Sequence, residues 1–120
     1  MSLEMRDERP INVRIRDRIA AAILDGEYRD GDPLPSVRAL AARYEANPLT
    51  VAKAYQRFQD DGLVVVRRGV GMFVATGAAA RLRASERAAF LTTEWPRVRA
   101  TIERLGIARE ELFSAAEERV

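Results

Sequence analysis

The sequence predicts a mostly α-helical fold with one small β-hairpin, followed by a helical tail. Three observations carry this expectation. Apolar residues recur at helical spacing in three successive segments between Ile11 and Phe58. Two β-rich runs, Leu63 to Arg67 and Gly71 to Ala75, are separated only by Arg68-Gly69-Val70, which reads as a hairpin. Beyond Gly77 the pattern becomes a heptad seam. Ala84, Ala88, Leu91, Trp95, Val98, Ile102 and Leu105 follow at alternating intervals of four and three residues.

Each element has local signals. Met1 to Arg9 are polar and are expected to form a flexible N-terminus (residues 1–9). Pro10 suits a first helical turn, where its missing N–H is not needed. Ile11, Ile15, Ile19, Ala22 and Ile23 then make an apolar stripe, and Gly26 stops the helix. Glu27 to Pro35 form a connector with an Asp30-Gly31 turn signal. Ser36 is a good cap for a short helix with Val37, Leu40, Ala41 and Tyr44 on one face. Glu45 and Ala46 make a turn. Asn47 caps a third helix from Pro48 to about Asp61, with Val51, Ala54, Tyr55 and Phe58 facing inward and Gly62 ending it. Tyr44, Tyr55 and Phe58 read as core rather than as stacking platforms.

Thr76-Gly77 is a plausible hinge, so a first domain is expected over residues 10–76 and a helical region over residues 77–120. Pro96 interrupts the long helix of the seam. A proline removes one ladder bond and clashes with the carbonyl four residues back, which predicts a kink near Thr92 to Trp95. The seam keeps phase across Pro96, which favours one bent helix. Gly106 ends it, and a last short helix from Arg109 to Arg119 is expected to turn Leu112, Phe113 and Ala116 inward.

Composition removes several function classes. The 120 residues include no cysteine and no histidine, which excludes disulfides, imidazole catalysis and the usual zinc sites. No clustered carboxylates suggest a metal, and no carboxylate dyad, nucleophile triad or glycine-rich phosphate loop is present, so neither an enzyme nor a cofactor is expected. The single lysine, Lys53, leaves little for Schiff-base chemistry. No apolar run approaches membrane-spanning length, and a cytoplasmic location is expected. The net charge of +2 is small, but Pro33 to Gly77 carry six basic residues against three acidic ones, with the acids grouped apart. Phosphate backbones attract such local excess.

Two short helices joined by a tight turn pack at a steep angle, so the second can enter a DNA major groove while the first crosses the backbone. With the hairpin as a wing, the whole is a winged helix-turn-helix. On the second helix Asn47, Leu49, Thr50 and Lys53 are the candidate groove-facing residues. Thr50 suits a phosphate or a thymine methyl, and Lys53 a phosphate or a guanine edge. Ser36 and Arg38 stand at the start of the preceding helix, where the N–H groups attract phosphate and Arg38 can clamp it. Arg67 and Arg68 project near the wing tip, and Gly69 allows close approach of the backbone. Arginine is favoured by the negative potential of narrow minor grooves.

The same segment resembles the GntR family of bacterial transcription regulators. The resemblance rests on Gly31-Asp32, Leu34-Pro35-Ser36, Arg38, Leu40-Ala41, Thr50-Val51, Ala54-Tyr55, Gly62, Gly69, Gly71 and Phe73-Val74, and it covers about residues 10 to 76. Asn47-Pro48 and the short two-helix tail resemble the YtrA subfamily. That resemblance implies dimerisation through the tail and no large effector domain. Where many members carry arginines on the recognition helix, this chain has Pro48 and Ala52.

The expected partners are double-stranded DNA and a second copy of the chain, meeting along Ala84, Ala88, Leu91, Trp95, Val98, Ile102 and Leu105. The seam is long, contains Trp95 and would leave a large apolar patch on a monomer. Arg87, Glu94, Arg97 and Glu103 read as its solvated flank. Two-fold symmetry would select a palindromic operator, in keeping with a repressor or other regulator. A module that docks protein instead of DNA is the alternative from another class. No membrane partner is implied, and no effector can be read from the sequence.

Overall fold

The computed structural model describes residues 8–118, with side chains through Ser114. Most of the N-terminal segment expected to be flexible, and Ala116 of the last helix, therefore lie outside the described residues and side chains. The elements are α1 (Ile11–Leu24), α2 (Val37–Arg43), α3 (Pro48–Asp60), β1 (Val64–Arg67), β2 (Gly71–Val74), α4 (Ala78–Ala89), a π-helical turn (Phe90–Glu94), α5 (Trp95–Leu105) and α6 (Arg109–Glu118). The chain divides into two compact units, residues 1–83 and 84–120.

The first unit is built on the predicted stripes. Ile15, Ile19 and Ile23 of α1, Leu40 and Ala41 of α2, and Val51, Ala54, Tyr55 and Phe58 of α3 are all buried in one cluster. Val51 is completely enclosed, at 0% exposed. Burial of this kind is what holds short helices, since a seven-residue helix such as α2 is not stable alone. Leu63, Val64 and Val74 extend the cluster to the hairpin, whose antiparallel register runs from Val64 opposite Val74 to Arg67 opposite Gly71.

Two features differ from the sequence expectation. The connector before α2 lies along the open edge of β2, joined to it by an isolated bridge. Pro33 pairs with Phe73, the Gly31 N–H donates to the Val74 carbonyl at 2.8 Å, and the Leu34 N–H donates to the Met72 carbonyl at 2.9 Å. Its prolines conceal this in the sequence, yet they are tolerated because a segment at a sheet edge needs only half the ladder bonds.

The compact unit also runs past the Thr76-Gly77 hinge to Arg83. Ala78 (0% exposed) and Leu82 (4%) belong to the core. The Asp30 carboxylate accepts from the Gly77 N–H at 3.0 Å, and Arg81 donates to the Gly62 carbonyl at 2.8 Å. Arg83 reaches the Leu24 carbonyl at 3.4 Å, placing a cation at the negative end of α1.

In the second unit the disturbance at Pro96 falls where the sequence places it, but it is a π-helical turn. The Trp95 N–H bonds to the Phe90 carbonyl, five residues back instead of four. The wider turn makes room for the proline ring. It also brings the Phe90 and Trp95 rings to 6.5 Å between centroids. Gly106, at φ 65°, closes α5 in the left-handed conformation as expected. On α6, Leu112 and Phe113 are exposed, so the expectation that they turn inward does not hold within this chain.

Candidate nucleic-acid interface

The site is assembled from the starts of two helices and the tip of the hairpin. Ser36 is extended, and its Oγ accepts from the Ala39 N–H at 3.0 Å, satisfying one of the open donors of α2. Its hydroxyl proton stays available to a ligand. Arg38 follows in the exposed first turn, and among the described residues it forms no ion pair.

The turn between α2 and α3 is tight because Glu45 takes a left-handed φ of 51°. This lets the Ala46 N–H reach back to the Ala41 carbonyl at 2.9 Å. Asn47 then caps α3, its Oδ1 accepting from the Leu49 N–H at 2.8 Å, with Pro48 in the first turn. The cap occupies the amide oxygen and leaves the Asn47 NH₂ group as a donor.

The inward residues of α3 fix which side faces out. With Val51, Ala54, Tyr55 and Phe58 buried, Leu49, Ala52, Lys53 and Gln56 form the outer stripe at intervals of three and four. Together with half-buried Thr50 they line an open depression of about 440 Å³. Ala52 and Gln56 are additions to the residues expected from sequence. The same helical spacing that marks the core places Ala52 between Leu49 and Lys53 on the outer face and reaches Gln56 one turn further on.

Tyr55 fixes α3 against the start of α2. It is 2% exposed, and its hydroxyl donates to the Pro35 carbonyl at 2.6 Å, one residue before the Ser36 cap. Burial, then the neighbouring Tyr28, push its phenol above the ordinary tyrosine range, while Arg43 opposes them. The phenol therefore stays a proton donor across the neutral range. The sequence pattern puts Tyr55 in the core but does not reveal this tether, which spans 20 residues.

On the wing, the Val70 N–H closes onto the Arg67 carbonyl at 2.9 Å, and Gly69 has φ 78°, a value that suits position i+2 of a type II turn. Arg68 and Val70 are exposed at the tip. The Arg67 guanidinium lies over the Phe73 ring, 5.0 Å from its centroid. That contact restrains an otherwise flexible cation and gives Phe73 a role the sequence did not suggest. Arg67 and Arg68 stand at the end of β1, outside the α3 depression. The seam residues belong to the second unit: Leu91, Trp95, Val98 and Leu105 are exposed and Ile102 half-buried, with Ala84 and Ala88 exposed beside them.

No helix among the described residues is long and apolar enough to cross a membrane, and no group of residues there could hold a metal ion. The helices, the turn and the paired strands together define a winged helix-turn-helix. The chain belongs to the GntR family: the family described as "Bacterial regulatory proteins, gntR family" matches residues 11–74.

Among its relatives is the HTH-type transcriptional repressor YtrA of Bacillus subtilis, 35% identical over 82 residues, which cover 68% of this chain and 63% of that protein. A solved YtrA from Sulfolobus acidocaldarius, a GntR-family transcription factor, is 34% identical over 76% of this chain and 97% of its own, with a TM-score of 0.55, and with that repressor it places the chain in the YtrA-like subfamily. The matched stretch spans just under two thirds of the length of the curated relatives (63% and 64%). A solved GntR family transcriptional regulator from Listeria monocytogenes shares the fold over 95% of this chain and 98% of its own, with a TM-score of 0.73 and 28% identity. The AraR DNA-binding domain, solved in complex with operator ORR3, also shares the fold. There the TM-score is 0.55 and the identity 23%, over 62% of this chain and 90% of that one. The curated relatives are named as transcriptional regulators or repressors, not as enzymes.

Proposed function

We propose that this chain is a sequence-specific, DNA-binding transcription regulator, acting as a repressor in the cytoplasm and binding a palindromic operator as a homodimer. The observation that carries the reading is the outer stripe of α3. It is uncharged except for Lys53, it stands beside a capped helix start bearing Arg38, and it belongs to a GntR-type unit. The stripe occupies the major groove, while Ser36 and Arg38 hold the phosphate backbone and Arg67, Arg68 and Gly69 follow the adjoining backbone or minor groove. Asn47, Leu49, Thr50 and Lys53 contact the groove. The exposed Leu91, Trp95, Val98 and Leu105 support a two-fold partner along the second unit. Such symmetry sets two half-sites about one helical turn apart.

Arg38→Ala tests the phosphate clamp. The expected result is weaker binding to every duplex alike, with the slope of log affinity against log salt reduced by about 1. Equal affinity of the variant and the wild type at about 150 mM salt would remove Arg38 from the interface. Absence of duplex binding by the wild type under those conditions would favour a protein-docking module instead.

A further inference from the structure

Leu49 is the most exposed large apolar residue among the described residues, at 78%. A lone exposed leucine needs no explanation. This one does not stand alone, because it shares the α3 depression with Ala52 and Thr50, and no residue lining that depression is acidic. The stripe is therefore led by an exposed leucine, at a place where a reader of guanine would carry arginine or lysine and a reader of cytosine a carboxylate. Polar groups stand beside it, namely the Asn47 NH₂, the Thr50 hydroxyl and, one turn on, Lys53 and Gln56, but the Gln56 Nε2 already donates to Asp60 at 2.9 Å. Of the four bases, thymine alone carries a methyl group in the major groove.

We infer that Leu49, flanked by Ala52, reads thymine through its C5 methyl group, so that the preferred half-site carries thymine opposite the first turns of α3. This rests on the DNA-binding reading above and adds the base class that the helix selects. Leu49 acts by apolar contact and exclusion of water. Its backbone N–H donates to Asn47 Oδ1, which holds the residue in the first turn of the helix.

The test uses the full chain and the best duplex selected from a random pool, remade with deoxyuridine in place of thymidine. The base pairs and their hydrogen-bonding edges are kept, and only the methyl groups are lost. Wild type should bind the uracil duplex about fourfold more weakly for one contacted methyl, equivalent to ~0.8 kcal/mol, and about fifteenfold more weakly when both half-sites contribute. Leu49→Ala, with its fold checked by thermal midpoint, should discriminate between the duplexes by about twofold or less. Equal binding of both duplexes by the wild type, or full discrimination by Leu49→Ala, would overturn the inference. If no duplex were selected at all, the DNA-binding reading itself would fail and this inference with it. That outcome is distinct, because the thymine duplex too would then go unbound.

Discussion

The hydroxyl of Tyr55 links the inner face of α3 to the carbonyl that precedes the α2 cap. Tyr55→Phe keeps the ring and removes the bond, so a loss of about 1 kcal/mol in urea unfolding is expected. Because the folded phenol holds its proton above the ordinary tyrosine value of about 10, this contribution is present below that pH. It declines as pH rises past it, since the unfolded chain then releases the proton first. Stability measured from pH 9 to 11 should therefore fall more steeply for the wild type than for Tyr55→Phe. Glu45 is the complementary case, a non-glycine residue at φ 51°. Glu45→Gly should stabilise the protein by about 0.5 kcal/mol, because it relieves the left-handed strain at some entropic cost. The sequence announces Ser36 and Asn47 as caps through residue type alone. It cannot announce the positive φ of Glu45, which the path between two packed helices imposes, or the partner of Tyr55, which lies 20 residues away.

At the level of elements, α3 is legible in the sequence to within a residue because Pro48 and Gly62 mark its ends and its buried positions keep strict helical spacing. That spacing also dictates the outer stripe, so much of the candidate interface follows from residue types and their intervals alone. The wing is legible as a hairpin, while the bridge from the connector to β2 is not, since pairing of residues 31–34 with β2 is a long-range event without a local signal. The π-helical turn lies just before Pro96, but its type depends on how the helix absorbs the missing donor, so the sequence predicts only a kink. On the wing, Phe73→Leu should preserve the hairpin while removing the ring beneath Arg67. A few-fold loss of duplex affinity, measured by fluorescence anisotropy, is the expected outcome, at about 0.5–1 kcal/mol for an exposed cation–π contact. Unchanged affinity would show that Arg67 needs no such support.

For the whole molecule, the two units carry separate duties in the proposed function: the first reads DNA and the second supplies symmetry. Aromatic residues dominate the energy of protein interfaces, and Phe90 and Trp95 are the aromatic pair of the second unit. Trp95→Ala should weaken self-association by about 2 kcal/mol or more, roughly thirtyfold, as read by sedimentation equilibrium. A wild type that sediments as a monomer at tens of micromolar would rule out the proposed dimer. Sequence-specific binding by a symmetric dimer is probed most directly by selection from a random duplex pool, followed by titration of the enriched sequence at several salt concentrations. A two-fold symmetric sequence with half-sites about one helical turn apart should be enriched, and its affinity should fall steeply with salt. A pool that stays random, with no duplex bound better than any other, would contradict the proposed function.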